Sequence, residues 1–301
     1  MGPALPSPVR RASCGLRRVL LLLTLLALLL GVGLIAPDRR AAAGGPPAAE
    51  LIPAVVAAYP PIGTLAVVVA RQHVPAAGLS IPAAEARTAR TAAAAAGNAE
   101  ADRPFPTASM VKLFVAESVL QRARAGVLAL RPDDPALLQE MIRSSDDPAA
   151  STLWVRYGGG QMVADVARRY GLAGTAPPAR PGQWGETTTT ARDLARFLAL
   201  LPTVAHPDDA AAIIGWMQAA TPLAADGFDQ RFGVFGTAPP ETGVKQGWMC
   251  CVGGNRHLHS VGVLGGRVVV LLSEVPRAVG YDEARAALSA AAAALPPPPA
   301  S

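Results

Sequence analysis

One long unbroken apolar run stands near the start of the chain, from Val19 to Ile35, and a series of short patterned segments follows it. Thr64 to Ala70 is a near-continuous stretch of small and β-branched residues opened by Pro61 and Gly63, which predicts a strand. Residues 107–125 place Met110, Val111, Leu113, Phe114, Val115, Val119 and Leu120 on several faces of a helix that Gly126 stops. A helix apolar nearly all round belongs at the centre of a domain. Shorter helical patterns cover 135–143, 148–157 and 161–170, broken by Gly158-Gly159-Gly160 and Gly171. Thr190-x-x-Asp193 resembles a capping box for a helix that Pro202 ends after Leu201, and 208–220 carries another helix. The texture then changes. Val244–Met249, Leu258–Leu264 and Val268–Val275 predict strands, with Gly265-Gly266 as the hairpin turn between the last two, and 281–294 predicts a final helix. A helical block inserted into a sheet that reforms at the C-terminus is an α+β pattern.

The remaining segments are poor in large apolar side chains. Residues 44–60 read as a Pro/Ala linker, 75–102 as a variable surface excursion, and 296–301 as a disordered proline tail. The first 43 residues read as a targeting segment. Arg10, Arg11, Arg17 and Arg18 precede the apolar run, and Ala41-Ala42-Ala43 follows it in the manner of a signal-peptidase site. The 17-residue run is also just long enough for a membrane anchor, and the arginines ahead of it place the remainder outside the cytoplasm. The protein is therefore expected to be secreted, cell-wall associated or anchored through residues 19–35 on the outer face of the cytoplasmic membrane. Cys14 precedes the run and is badly placed for lipidation.

The formal net charge of +5 belongs to that segment. Residues 1–43 hold six arginines and one Asp, so 27 basic and 22 acidic residues become 21 and 21 beyond it, and nothing points to nucleic acid. Past the signal only Cys250 and Cys251 remain. They are adjacent, which leaves a vicinal disulfide, two thiols or pairing with another chain open. No metal spacing and no cofactor motif occurs, and a monomer is expected.

Of the 27 basic residues only two are lysines, Lys112 and Lys245. Arginine cannot be deprotonated in a protein, whereas a buried lysine can shift its pKa and act as a base. Ser109 and Lys112 are three apart and share a helix face, with Ser109 near the helix N-terminus, where amide hydrogens favour developing negative charge. A serine hydroxyl is a weak nucleophile until a base takes its proton. A neutral Lys112 could be that base if burial, or Lys245 nearby, lowered its pKa.

Ser109-x-x-Lys112, then Ser145-Asp146-Asp147, then Lys245-Gln246-Gly247 resembles the S-x-x-K, S-D-N and K-T-G signature of the penicillin-recognising serine hydrolases, which include the class A β-lactamases and the D-Ala-D-Ala peptidases. The run Thr187–Thr190, Ala191, Arg192, Asp193 also resembles the segment after the class A Ω loop. The resemblance covers roughly residues 61–295. It implies an antiparallel sheet flanked by helices, with an all-helical subdomain inserted at about 131–235. It further implies that Ser109 is acylated, Lys112 is its base, Ser145 relays a proton to the leaving nitrogen and Lys245 holds the substrate carboxylate. Asp147, Gln246, Gly247 and Trp248 would line the substrate, and the backbone amides of Ser109 and Trp248 would form the oxyanion hole. Implied substrates are β-lactams or the D-Ala-D-Ala peptides of peptidoglycan.

Three departures qualify it. Asp147 stands for Asn and offers no donor, Gln246 stands for Thr or Ser, and no Asp or Glu lies between Gly171 and Gly185, where the class A loop carries the base that activates the deacylating water. Glu186 looks like a loop anchor. These departures keep two alternatives alive: a D,D-peptidase with slow β-lactam deacylation, and a catalytically impaired binding or scaffold protein. A plain helix-capping role is open for Asp146 and Asp147. Arg256, His257 and His259 are candidates for a substrate-carboxylate cation, with a solvated strand face as the plainer reading. Trp154, Trp184 and Trp216 read as packing.

Overall fold

In a computed structural model, the described residues are Gly2, 47–72 and 95–297. The apolar run Val19–Ile35 and the greater part of the 75–102 excursion lie outside them. No helix among the described residues is long and apolar enough to cross a membrane.

Five strands form one antiparallel sheet in the order β2-β1-β7-β6-β5. They are β1 (Thr64–Arg71), β2 (Ala95–Gly97), β5 (Gly243–Val252), β6 (Asn255–Leu264) and β7 (Arg267–Pro276). Strand alternation sends β1 into two cores. Ala66, Val68 and Ala70 join the core under the helical region, while Leu65, Val67 and Val69 join the core on the opposite face. A strand buried on both faces loses its polar positions, which is why β1 reads as a continuous apolar run. Gly265 and Gly266 both have positive φ, 54° and 72°, as a tight two-residue hairpin requires. Gly253 and Gly254, at 58° and 79°, make a second such hairpin, between β5 and β6.

The stretch read as a linker is instead partly helical: α1 spans Ala48–Ala58 and buries Leu51, Ile52 and Val55. It packs with α9 (Tyr281–Ala293) on the outer face of the sheet. Small alanines hid this helix in the sequence, because three large apolar residues suffice for so narrow a stripe. In the tail, Arg267 donates to the Pro296 carbonyl at 2.6 Å, and residues 298–301 lie outside the described residues.

The inserted block holds α2 (Val111–Arg124), α3 (Asp134–Arg143), α4 (Asp147–Tyr157), α5 (Gly160–Tyr170), α6 (Ala191–Val204) and α7 (Pro207–Gln218), with a short α8 (Val234–Thr237) returning to the sheet. Every residue of α2 from Val111 to Val119 is buried. Glu117, within that run, is held by Arg169 and by the Tyr170 hydroxyl. Phe197 of α6 packs edge-on against Phe114 at 5.0 Å, a pair contributing about 1 kcal/mol beyond its buried area. Thr190 caps α6, accepting from the Asp193 amide at 3.0 Å. The other half of the expected capping box is absent. The Asp193 carboxylate binds the Gly174 amide and the Thr175 hydroxyl, so it pins the start of the loop that leads from α5 to α6. Pro202 lies inside α6 and does not end it. A two-stranded ribbon, β3 (Phe105–Pro106) with β4 (Thr188–Thr189), ties the segment before Ser109 to the Thr run.

Candidate active site

Ser109 sits in a 3-10 turn, Ala108–Met110, that leads directly into α2. The turn is pressed against β5. A Cβ on Gly247 would lie 3.2 Å from the Ser109 amide nitrogen and 3.3 Å from the Thr107 carbonyl, so a side chain there would push the two apart. Among the described residues only two non-glycines have positive φ, Ala108 at 45° and Ser145 at 55°. Each such residue costs of order 1 kcal/mol or more and persists where its surroundings over-determine it, commonly at functional sites. Both flank the same cleft.

Below the turn the two lysines meet, fully buried. Lys245 Nζ donates to Ser145 Oγ at 2.7 Å and to the Gln246 carbonyl at 2.8 Å. Lys112 Nζ donates to the Ser145 carbonyl at 2.7 Å, to Ser145 Oγ at 3.3 Å and to Asp147 Oδ1 at 2.5 Å. Burial pulls the Lys112 ammonium below the ordinary lysine value while Asp147 works against it. Lys245 lies well below that value through burial and then through the charge of Lys112. The Asp147 side chain is 60% exposed, so solvent screens its attraction. Among the described residues Ser109 Oγ makes no hydrogen bond.

The paired aspartates divide their work. Asp146 caps α4, accepting from the Ala149 amide at 2.8 Å, while Asp147 turns to Lys112. Gln246 differs from the expectation. Its amide nitrogen is committed to the carbonyls of Gln230 and Phe232, so it fastens that loop and is not free for a ligand. Alternation along β5 explains this, since Lys245 and Gly247 share one face and Gln246 takes the other. Trp248 stacks on Phe228 at 4.5 Å and donates to Asp226, forming the rim.

The cleft holds about 230 Å³ between Ser109, Asp147, Trp248, Met249 and the loop Gly182–Gly185. That loop brings no carboxylate to Lys112. Glu186 is engaged by Arg180, and the Trp184 ring lies 4.9 Å from Lys112 Nζ. Trp184 is therefore part of the cleft wall and not simple packing; no spacing signal marked it. Trp154 does pack, buried, donating to the Pro181 carbonyl. None of the strand cations faces the cleft. Arg256 stacks on Tyr281, and His257 is buried. His259 accepts from the Ser273 amide through Nδ1 and so donates through Nε2 to the Pro106 carbonyl at 2.8 Å. Burial pushes His259 down to about 3, so it braces the approach to Ser109 as a neutral ring. Cys250 and Cys251 form an exposed vicinal disulfide just beyond Met249. Among the described residues no group of His, Cys, Asp and Glu could hold a metal ion.

The profile of the Beta-lactamase enzyme family matches residues 135–295. The chain belongs to that family. A β-lactamase from Xanthomonas campestris superposes with a TM-score of 0.58 at 19% identity, covering 81% of this chain and 96% of that one. A variant of the last common ancestor of Gram-negative class A β-lactamases superposes at 0.56, with 19% identity over 82% of this chain and 97% of that one. At these identities the likeness fixes the fold, that of a class A β-lactamase. A Mycobacterium tuberculosis protein named "Putative lipoprotein LppW" is 43% identical over 163 residues, 53% of this chain and 52% of that protein, so the match spans about half the length of the relative. Family and fold together make this β-lactamase-family chain serine-hydrolase-like.

Proposed function

We propose that the protein is a serine acyl-transfer hydrolase that acts through Ser109 on β-lactams or D-Ala-D-Ala peptides and releases its acyl group slowly. The observation that carries this reading is the convergence of two buried ammonium groups on the Ser145 hydroxyl beside the Ser109 turn. In this reaction neutral Lys112 takes the Ser109 proton as Oγ attacks the substrate carbonyl carbon. The carbonyl oxygen gains the charge between the amides of Ser109 and Trp248. Ser145 gives its proton to the leaving nitrogen and regains one from Lys112, the C–N bond breaks, and the acyl group stays on Ser109. Lys245 holds Ser145 throughout, and a substrate carboxylate arriving beside it would offset its burial and the charge of Lys112 and draw it toward its charged form. Hydrolysis of the ester then needs a base for water. The loop at Trp184 supplies none, which supports slow release.

Export to the outer face of the cytoplasmic membrane is part of the proposal. The arginine-flanked run Val19–Ile35 supports export, and the lipoprotein named among the relatives supports anchoring. With Cys14 ahead of the run, anchoring here would rest on the run itself.

Intact-mass measurement of the full chain with benzylpenicillin, followed over time, tests the reading. The expected result is a one-to-one adduct that persists and is lost in Ser109→Ala. Rapid product formation without a lasting adduct would instead make the protein an efficient β-lactamase. A second reading, a binding protein without turnover, is favoured by one observation. All three Lys112 donors are engaged, so no lone pair faces Ser109 in this state. Under that reading neither adduct nor product forms, and Ser109→Ala leaves ligand affinity unchanged.

A further inference from the structure

A second cavity, of about 380 Å³, lies apart from the Ser109 cleft, between α8, the facing ends of β6 and β7, and α9. Its walls are mostly apolar, with Val234, Leu264, Val269, Ala292 and Leu295 among them. Three polar side chains interrupt them, and one of these, Thr237, is already committed to the Gly233 carbonyl. Thr242 is 5% exposed, and its hydroxyl is buried with no partner. Arg267 lines the cavity and, among the described residues, donates only to the Pro296 carbonyl, leaving the rest of its five-donor fork unused.

The contrast with other arginines is sharp. Arg124, Arg156 and Arg192 each grip a carboxylate through two nitrogens. Arg267 has no carboxylate among the described residues, and the residue opposite it in the β1–β7 ladder is Arg71. Burial, and then the like charge of Arg71, pull its guanidinium below the ordinary value. A guanidinium with no carboxylate partner among the described residues, an unsatisfied buried hydroxyl and apolar walls enclose a volume in the range of small-molecule sites, roughly 300–1,000 Å³.

We propose that this cavity binds an aliphatic carboxylate, its chain against Val234, Leu264 and Leu295 and its head group on Arg267 and Thr242. A carboxylate matches the planar fork bidentately, and a single chain suits walls whose other side-chain hydroxyl, that of Thr237, is spent on the Gly233 carbonyl. The site is independent of the acyl-transfer reading and stands or falls without it.

Photo-crosslinking of the full chain with a diazirine-bearing decanoic acid, mapped by peptide mass spectrometry, tests it. Labels are expected in 234–239 or 292–297. The matched decanol and a phospholipid carrying the same chain should each label at least about tenfold less. Arg267→Gln should cut labelling by the acid about tenfold and leave labelling by the alcohol within about twofold. Arg267→Lys, which keeps the charge and loses the bidentate fork, should label less than the parent and more than Arg267→Gln, separating loss of the charge from loss of the fold. Thr242→Val should produce a smaller, severalfold loss. The proposal is overturned by labels mapping elsewhere, by equal labelling with the alcohol or the phospholipid, or by indifference to Arg267→Gln. It is also overturned if labelling appears only after residues 298–301 are removed, which would make the chain's own tail the occupant.

Discussion

The two walls of the Ser109 cleft are built differently. On one side, β5, the Ser109 turn and Ser145 interlock through buried groups: two lysines on one hydroxyl, a glycine that lets β5 touch the turn, and two residues held at positive φ. On the other side, the loop through Gly182–Gly185 presents Trp184 to Lys112 and turns its one nearby carboxylate, Glu186, toward Arg180. In the proposed reaction the first wall would form the ester, and the second offers no carboxylate to the water that would break it. Under that proposal acylation and deacylation are separable properties of opposite walls.

Removing the proposed base, Lys112, from the first wall should have the largest effect. Lys112→Ala is expected to slow acylation by benzylpenicillin about 10³-fold, read from adduct formation by intact mass. A rate within tenfold of the parent would mean that the base lies elsewhere. Next, Trp184→Glu places a carboxylate on the second wall and should shorten the life of the adduct about tenfold or more, with acylation little changed. An unaltered half-life would end the assignment of slow release to this loop.

Smaller effects concern protons. Asp147 holds Lys112 toward its charged form, so Asp147→Asn should let its pKa fall further and move the acidic limb of the acylation rate to lower pH. Movement of that limb to higher pH would show that the carboxylate acts otherwise. His259 contributes through stability. Its folded value of about 3 lies below the unfolded value of about 6.5, so the unfolded chain binds the proton first. Stability should be full above about pH 6.5 and decline as pH falls toward 3, with a slope of at most about 1.4 kcal/mol per pH unit from this group. Urea denaturation across that range should show a flatter acid limb in His259→Gln.

How much of this was legible beforehand follows from the range of each interaction. The helices at 134–143, 147–157 and 160–170 announced themselves through local signals, such as Asp146 before Pro148 and the glycines at 158 and 171, both left-handed in the structure. The strands β5 to β7 were visible in their apolar runs, and the Ser109, Ser145 and Lys245 segments in their order. What escaped depends on contacts between distant segments. The Lys112–Asp147 ion pair spans 35 positions, and nothing in the chain says which of two aspartates caps a helix and which turns inward. Gln246 looked like a ligand-facing residue until strand alternation put it on the other face, tied to a loop that motif reading does not weigh. Helix α1 was missed because alanine and proline dominate its stretch, although Leu51, Ile52 and Val55 are enough to seat it.

Trp184 and Trp248, two of the four tryptophans in the chain, line the 230 Å³ cleft, one facing an ammonium and the other stacked on a phenyl ring. Tryptophan emission responds to nearby charge and to displaced water, so the protein carries its own optical gauge of whether the cleft is filled. Stopped-flow fluorescence of the unlabelled chain can then time the arrival and departure of an acyl group, and Trp184→Phe should remove most of the signal that reports on Lys112.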